Sequence, residues 1–83
     1  MLHDQIKDVN SKERLAEFVA ALLQDLENNR EGWENDTLDR FLEAMESWIR
    51  SMDNYYKNTD QPIPDTPTWR TFAEILLAAR VYE

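Results

Sequence analysis

Residues 33–56, WENDTLDRFLEAMESWIRSMDNYY, decide the fold. Their apolar positions are Leu38, Phe41, Leu42, Met45, Trp48, Ile49, Met52, Tyr55 and Tyr56. Steps of three and one keep these on one face of a helix, whereas a strand would alternate every second residue. The opposite face carries Asp39, Arg40, Glu43, Glu46, Ser47 and Arg50. Asp36 and Arg40, and again Glu46 and Arg50, are spaced four apart with the acid first. That orientation supports a helix by about 0.2–0.5 kcal/mol per pair. Asn35, Asp36 and Thr37 all qualify as N-caps, and acids near the start suit the positive end of the helix dipole. Asp53-Asn54 are weak helix formers, so the pattern predicts a helix over 37–55.

Toward the N-terminus, Leu15, Phe18, Val19, Leu22, Leu23 and Leu26 form a second stripe, predicting a helix over 12–29. Asn10 and Ser11 are its cap candidates. Asp25 and Glu27 sit at its C-terminal end, where acids oppose the dipole, and no nearby residue compensates them. Gly32, the only glycine, is placed to stop this helix or turn the loop after it. Leu2, Ile6 and Val9 fit one helical turn or an extended arm, and we expect an irregular arm.

Toward the C-terminus, KNTDQPIPDT (57–66) is a loop, because Pro62, Pro64 and Pro67 break any continuous helix. Thr66 followed by Pro67 predicts the start of a third helix over 67–81. Trp69, Phe72, Ala73, Leu76 and Ala79 are its apolar face. The predicted fold is all-α: one domain over residues 1–83, a small three-helix bundle with a short N-terminal arm and a Pro-containing crossover loop. Leu22, Phe41, Trp48 and Phe72 are the expected core.

Charge narrows the function. With 17 acids against 9 Lys and Arg, the net charge is -8. Nucleic acid and anionic membrane surfaces both select for basic proteins and are not expected as partners. Residues 13–46 alone hold ten acids and three bases, so a cationic partner would be steered to that segment. There is no cysteine, hence no disulfide or thiolate chemistry. No run resembles a signal peptide or membrane span, and a cytoplasmic location is expected.

The run from Val9 to Glu83 resembles a family of small acidic bacterial proteins, a domain of unknown function. The residues that carry the resemblance are Trp33-Glu34-Asn35, Trp48, Tyr55-Tyr56, Trp69 and Arg80-Val81-Tyr82-Glu83. The family implies no activity and transfers no catalytic residues. In size, acidity and tryptophan content the chain is similar in style to immunity and antitoxin proteins, which act by binding a toxin.

No catalytic pattern is present. His3 is the only histidine, so a dyad or histidine-rich metal site is excluded. Asp39, Glu43 and Glu46 share a helix face but lack a Glu-x-x-His partner set, and Asp53, Asn58 and Asp60 lack the glycine and terminal Glu of a calcium loop. Neither an enzyme nor a bound metal or cofactor is expected. The candidate partner-binding residues are Glu31, Trp33, Glu34, Asp36, Asp39, Glu43, Glu46, Tyr55 and Tyr56. Trp33 is either a staple over the end of the bundle or an anchor for a partner. Tyr55 and Tyr56 either pack with their hydroxyls bonded or form an amphipathic patch with Trp33 or Trp48. The expected activity is binding a basic protein, with homodimerisation as the alternative.

Overall fold

The computed structural model describes residues 2–83, and among these it is all-helical with no strand. The α-helices are α1 (Leu2–Gln5), α2 (Lys12–Asn28), α3 (Leu38–Asn58) and α4 (Trp69–Ala79), with 3-10 turns at Ile6–Asp8 and Arg30–Gly32. The expected irregular arm is therefore helical. Ile6 and Val9, three residues apart on that turn, are both buried in the core. Two apolar side chains at one-turn spacing gain more from a helical turn that buries both than from an extended segment that would turn them apart.

Local chemistry sets each boundary. Ser11 caps α2, its hydroxyl accepting from the Arg14 backbone N–H at 3.2 Å. Helix α3 runs past Asp53-Asn54 to Asn58, three residues beyond the expected end. Burial of Tyr56 outweighs the weak propensity of that pair. Its exit is a Schellman motif: Gln61 N–H donates to the Tyr56 carbonyl at 2.8 Å and Asp60 N–H to the Lys57 carbonyl at 3.3 Å. Asp60 holds the left-handed position, φ 55°, that glycine usually takes. Helix α4 starts at Trp69, not 67, because the capping box belongs to Thr68 and Thr71. The Thr68 hydroxyl accepts from Thr71 N–H at 3.1 Å, and Thr71 Oγ1 accepts from Thr68 N–H at 3.1 Å.

Helix α4 is the centre of the molecule. It packs on α3, on α2 and on the Ile6–Asp8 turn, whereas α2 and α3 scarcely touch each other. Ala73 and Ala79, both fully buried, let its neighbours approach closely. One core joins Ile6, Val9, Phe18, Leu22, Trp33, Ala73 and Leu77, with Phe41 and Leu76 partly buried against it. The expected core is corrected at Phe72, which is 52 % exposed. A central helix meets neighbours on several sides, so its widest apolar stripe does not dictate which side is covered. Trp48 is half-buried, against Tyr55 and Tyr82.

Candidate functional site

The acidic residues singled out from the sequence fall on the loop after α2 and the first half of α3. Glu31, Glu34, Asp39, Glu43 and Glu46 are exposed, and Asp36 is half-buried. Asp36 faces Arg30 Nη1 at 3.7 Å, and Glu46 pairs with Arg50 Nη2 at 2.9 Å. Asp39 accepts from the Thr37 hydroxyl at 2.7 Å. That bond, with a further one from the Arg40 backbone, holds its carboxyl below the usual carboxylate range. Thr37 thus serves Asp39 rather than capping α3 with its side chain. Glu34 and Glu43 share a shallow groove of about 350 Å³ with Arg40 and Glu83. Among the described residues no group of His, Cys, Asp and Glu side chains is arranged to hold a metal ion.

Trp33 lies at the other side of this loop, 9 % exposed. Its indole N–H donates to Asp25 Oδ2 at 2.8 Å, and its ring lies 6.1 Å from Phe41. Arg80 reaches the same Asp25 oxygen at 3.2 Å and stands 6.0 Å over the Trp33 ring. Next to it, Asn35 Nδ2 donates to the carbonyls of Ala79 and Tyr82 at 2.9 and 2.8 Å, and Arg80 O accepts from Asn35 N–H at 3.1 Å. The Trp33-Glu34-Asn35 segment is therefore a clasp on the C-terminal end of α4. Trp33 is the staple of the two readings. A side chain this buried does not present itself to a partner as an anchor, so Trp33 leaves the candidate contacts. Asp25, which seemed uncompensated at the end of α2, is compensated by a residue 55 positions away.

Tyr55 and Tyr56 do not join Trp33. Tyr56 is buried, and its hydroxyl donates to Glu74 Oε1 at 2.7 Å. Burial raises its pKa well above the ordinary value, and Glu74 adds to the shift. Half-buried Tyr55 packs between Trp48 and Tyr56, at 5.2 Å from each ring. These aromatics form a ladder along the inner side of α3, not an exposed patch.

What the sequence reading missed is aliphatic. Leu38, Leu42 and Ile49 are 73, 51 and 47 % exposed. They lie within about 40° of one another around α3, and Asp53, Glu46 and Asp39 come next around the helix. On α2, Val19 and Leu23 are likewise exposed, with Glu27 one turn beyond. The apolar stripe of α3 is wider than α4 can cover. Its outer edge is left bare and bordered by acid.

The family model for a family of unknown function, DUF7660, matches residues 11–83. The chain belongs to that family. The DUF7660 match takes in α2, α3, α4, the Trp33–Asn35 clasp and the bare edge of α3, and begins at the Ser11 cap. No curated protein and no solved structure matches the chain. No helix of the described residues is long and apolar enough to cross a membrane.

Proposed function

We propose that this is an acidic protein-binding module without catalytic activity, of the immunity or antitoxin kind, whose partner presents a basic surface. One observation carries the reading: the exposed edge Leu38, Leu42 and Ile49 beside Asp39 and Glu46 on a single helix. Bare aliphatic side chains give a partner surface to desolvate, and the acids around them steer a basic one and reject an acidic one. Size agrees with this. A monomer of 9.9 kDa should expose about 5,200 Å². This chain exposes 6000 Å². The excess is close to the roughly 800 Å² that one partner contributes to a standard interface. The alternative, a homodimer, rests on the same aliphatic edge but brings acid against acid across a two-fold axis.

The test is capture and identification of partners from the source cell extract at low and high salt, alongside sedimentation over a range of concentrations. Glu43→Lys with Glu46→Lys should abolish low-salt capture of a basic protein. Leu42→Asn with Ile49→Asn should release it at any salt. Capture indifferent to both pairs refutes the reading. A concentration-dependent dimer lost in the Leu42→Asn, Ile49→Asn variant establishes the alternative.

A further inference from the structure

The bare edge of α3 has a register of its own. Leu38, Leu42, Met45, Ile49 and Met52 follow one another at steps of four, three, four and three. That is the seven-residue repeat of a helix-pairing seam, and it runs unbroken from the first residue of α3 to Met52. At about 1.5 Å per residue the seam is about 21 Å long. The next position in the repeat, Tyr56, is buried, with its hydroxyl on Glu74 of α4. Before it the seam is open: Leu38, Leu42 and Ile49 are exposed, and Met45 and Met52 are half-buried. Helix α2 scarcely touches α3 and does not close it.

The two sides of the seam differ. On one side the next row around the helix is Phe41, Trp48 and Tyr55, seven apart and half-buried, with rings packed on Trp33, Tyr82 and Tyr56. On the other side the next row is Asp39, Glu46 and Asp53, again seven apart, and all three are exposed. Every flanking position on the open side is thus a carboxylate. Asp53 has no ion-pair partner among the described residues, and Asp39 accepts from the Thr37 hydroxyl. Glu46 holds Arg50 in an exposed pair, of the kind that contributes little and that a partner cation can replace.

Two copies of this edge do not fit each other. Packed antiparallel, the acid row of one α3 meets the acid row of the other. Packed parallel, it meets Phe41, Trp48 and Tyr55, which the protein's own aromatics already hold. The complement is a helix whose apolar seam has the same repeat and whose flank carries Lys or Arg every seventh residue. An extended segment or a flat basic surface would match the charge but not the spacing. Helix α3 is already formed and held by α4, so only the incoming helix has to be ordered.

We infer that the partner docks through a basic amphipathic α-helix, laid along α3 from Leu38 to Met52 in coiled-coil register, with its lysines or arginines against Asp39, Glu46 and Asp53. This rests on the reading of the same edge as an acidic binding surface, and it gives that surface an occupant of stated secondary structure and spacing.

The test titrates the full chain with a synthetic helix of about three heptads, Leu and Ile at the seam and Lys at both flanks. Two peptides are run beside it: one with Glu for every Lys, and one of the same composition reordered so that no seven-residue seam remains. The Lys helix should bind saturably, gain helicity on binding and shift the methyl resonances of Leu42, Met45 and Ile49. The Glu and reordered peptides should bind at least about tenfold more weakly. Glu46→Lys with Asp53→Lys, both at exposed positions, should keep the melting temperature and reverse the preference, so that the Glu helix binds about tenfold more tightly than the Lys helix. Equal binding of the reordered peptide, or binding that leaves the α3 methyls unmoved, overturns the inference and leaves the acidic-surface reading standing. Capture of a basic protein by a chain that binds none of the three peptides does the same. A preference for Lys over Glu that survives the double charge reversal overturns both, since the acids then take no part.

Discussion

Asp25→Ala should be among the most damaging polar substitutions in this chain, although it removes an acid from the unfavourable end of a helix. Two effects compete. Removing the carboxylate relieves repulsion with the α2 dipole, a gain of about 0.3–1 kcal/mol, and alanine adds helix propensity of up to about 0.7 kcal/mol. Against this, Asp25 Oδ2 accepts from Trp33 Nε1 at 2.8 Å and from Arg80 Nη1 at 3.2 Å. Hydrogen bonds to charged groups contribute roughly 1.5–3 kcal/mol each. The side chains of Arg80 and Asp25 are 15 and 26 % exposed, so solvent takes back part of that. Loss wins by roughly 1.5–3 kcal/mol, out of about 4–12 kcal/mol for a chain this long. Each kcal/mol moves Tm by about 4–8 °C at this size, which predicts a fall of roughly 10–20 °C. The assay is thermal melting followed by circular dichroism, on Asp25→Ala, Arg80→Met and the double variant. Coupling of at least about 1 kcal/mol is expected between the two sites. A melt within a degree or two of the parent, or additive single effects, would refute the clasp as a source of stability.

Further expectations concern orientation, capping and pH. Phe18→Ala should cost about 3–5 kcal/mol, because Phe18 is 1 % exposed, whereas Phe72→Ala should stay within about 0.5 kcal/mol. Denaturant melts that rank the two the other way would mean α4 is rotated about its axis. Asp60→Gly should stabilise by about 0.5–1 kcal/mol, since glycine adopts φ 55° without strain, and an unchanged or lowered midpoint would argue against the Schellman exit. Tyr56 keeps its proton to higher pH in the folded chain than in the unfolded one. The stability this supplies is complete below about pH 10 and is lost as pH rises beyond it. Tyr56→Phe should flatten that alkaline limb, and identical pH profiles for parent and variant would count against a buried hydroxyl.

The three long helices were legible because each has more than two turns of periodic sequence. Their packing was less so. Of the expected face of α4, Ala73 and Ala79 are buried and Leu76 packs against the core, but Trp69 and Phe72 are exposed and Leu77, outside that stripe, is buried. A helix with neighbours on several sides is covered over an arc that its bulkiest side chains do not mark, so periodicity alone leaves its rotation open. The acids of the candidate site were readable as a charge excess, and most of them are exposed. Its aliphatic edge was not, because Leu42 and Ile49 belong to the same stripe as Phe41, and only the width of α4 decides how many of them are covered. The partner of Asp25 was out of reach for a different reason. A contact between residues 25 and 80 leaves no trace in local spacing.

The central helix is also made after the two helices it joins. As the chain is synthesised, α2 and α3 emerge before the element on which both pack, and they have little to offer each other. Until residues 69–79 follow, Phe18, Leu22 and Phe41 lack Ala73 and Leu77, the members of their core that α4 supplies. A nascent chain of some sixty residues is therefore a string of marginal amphipathic helices, open to proteases and to the apolar surfaces of its neighbours. Helix α4 then arrives with the residues that follow it and brings the Ala79 and Tyr82 carbonyls, on which the waiting Trp33–Asn35 clasp closes. Cleavage within the 59–68 loop would return the protein to that unprotected condition, even with every residue still present.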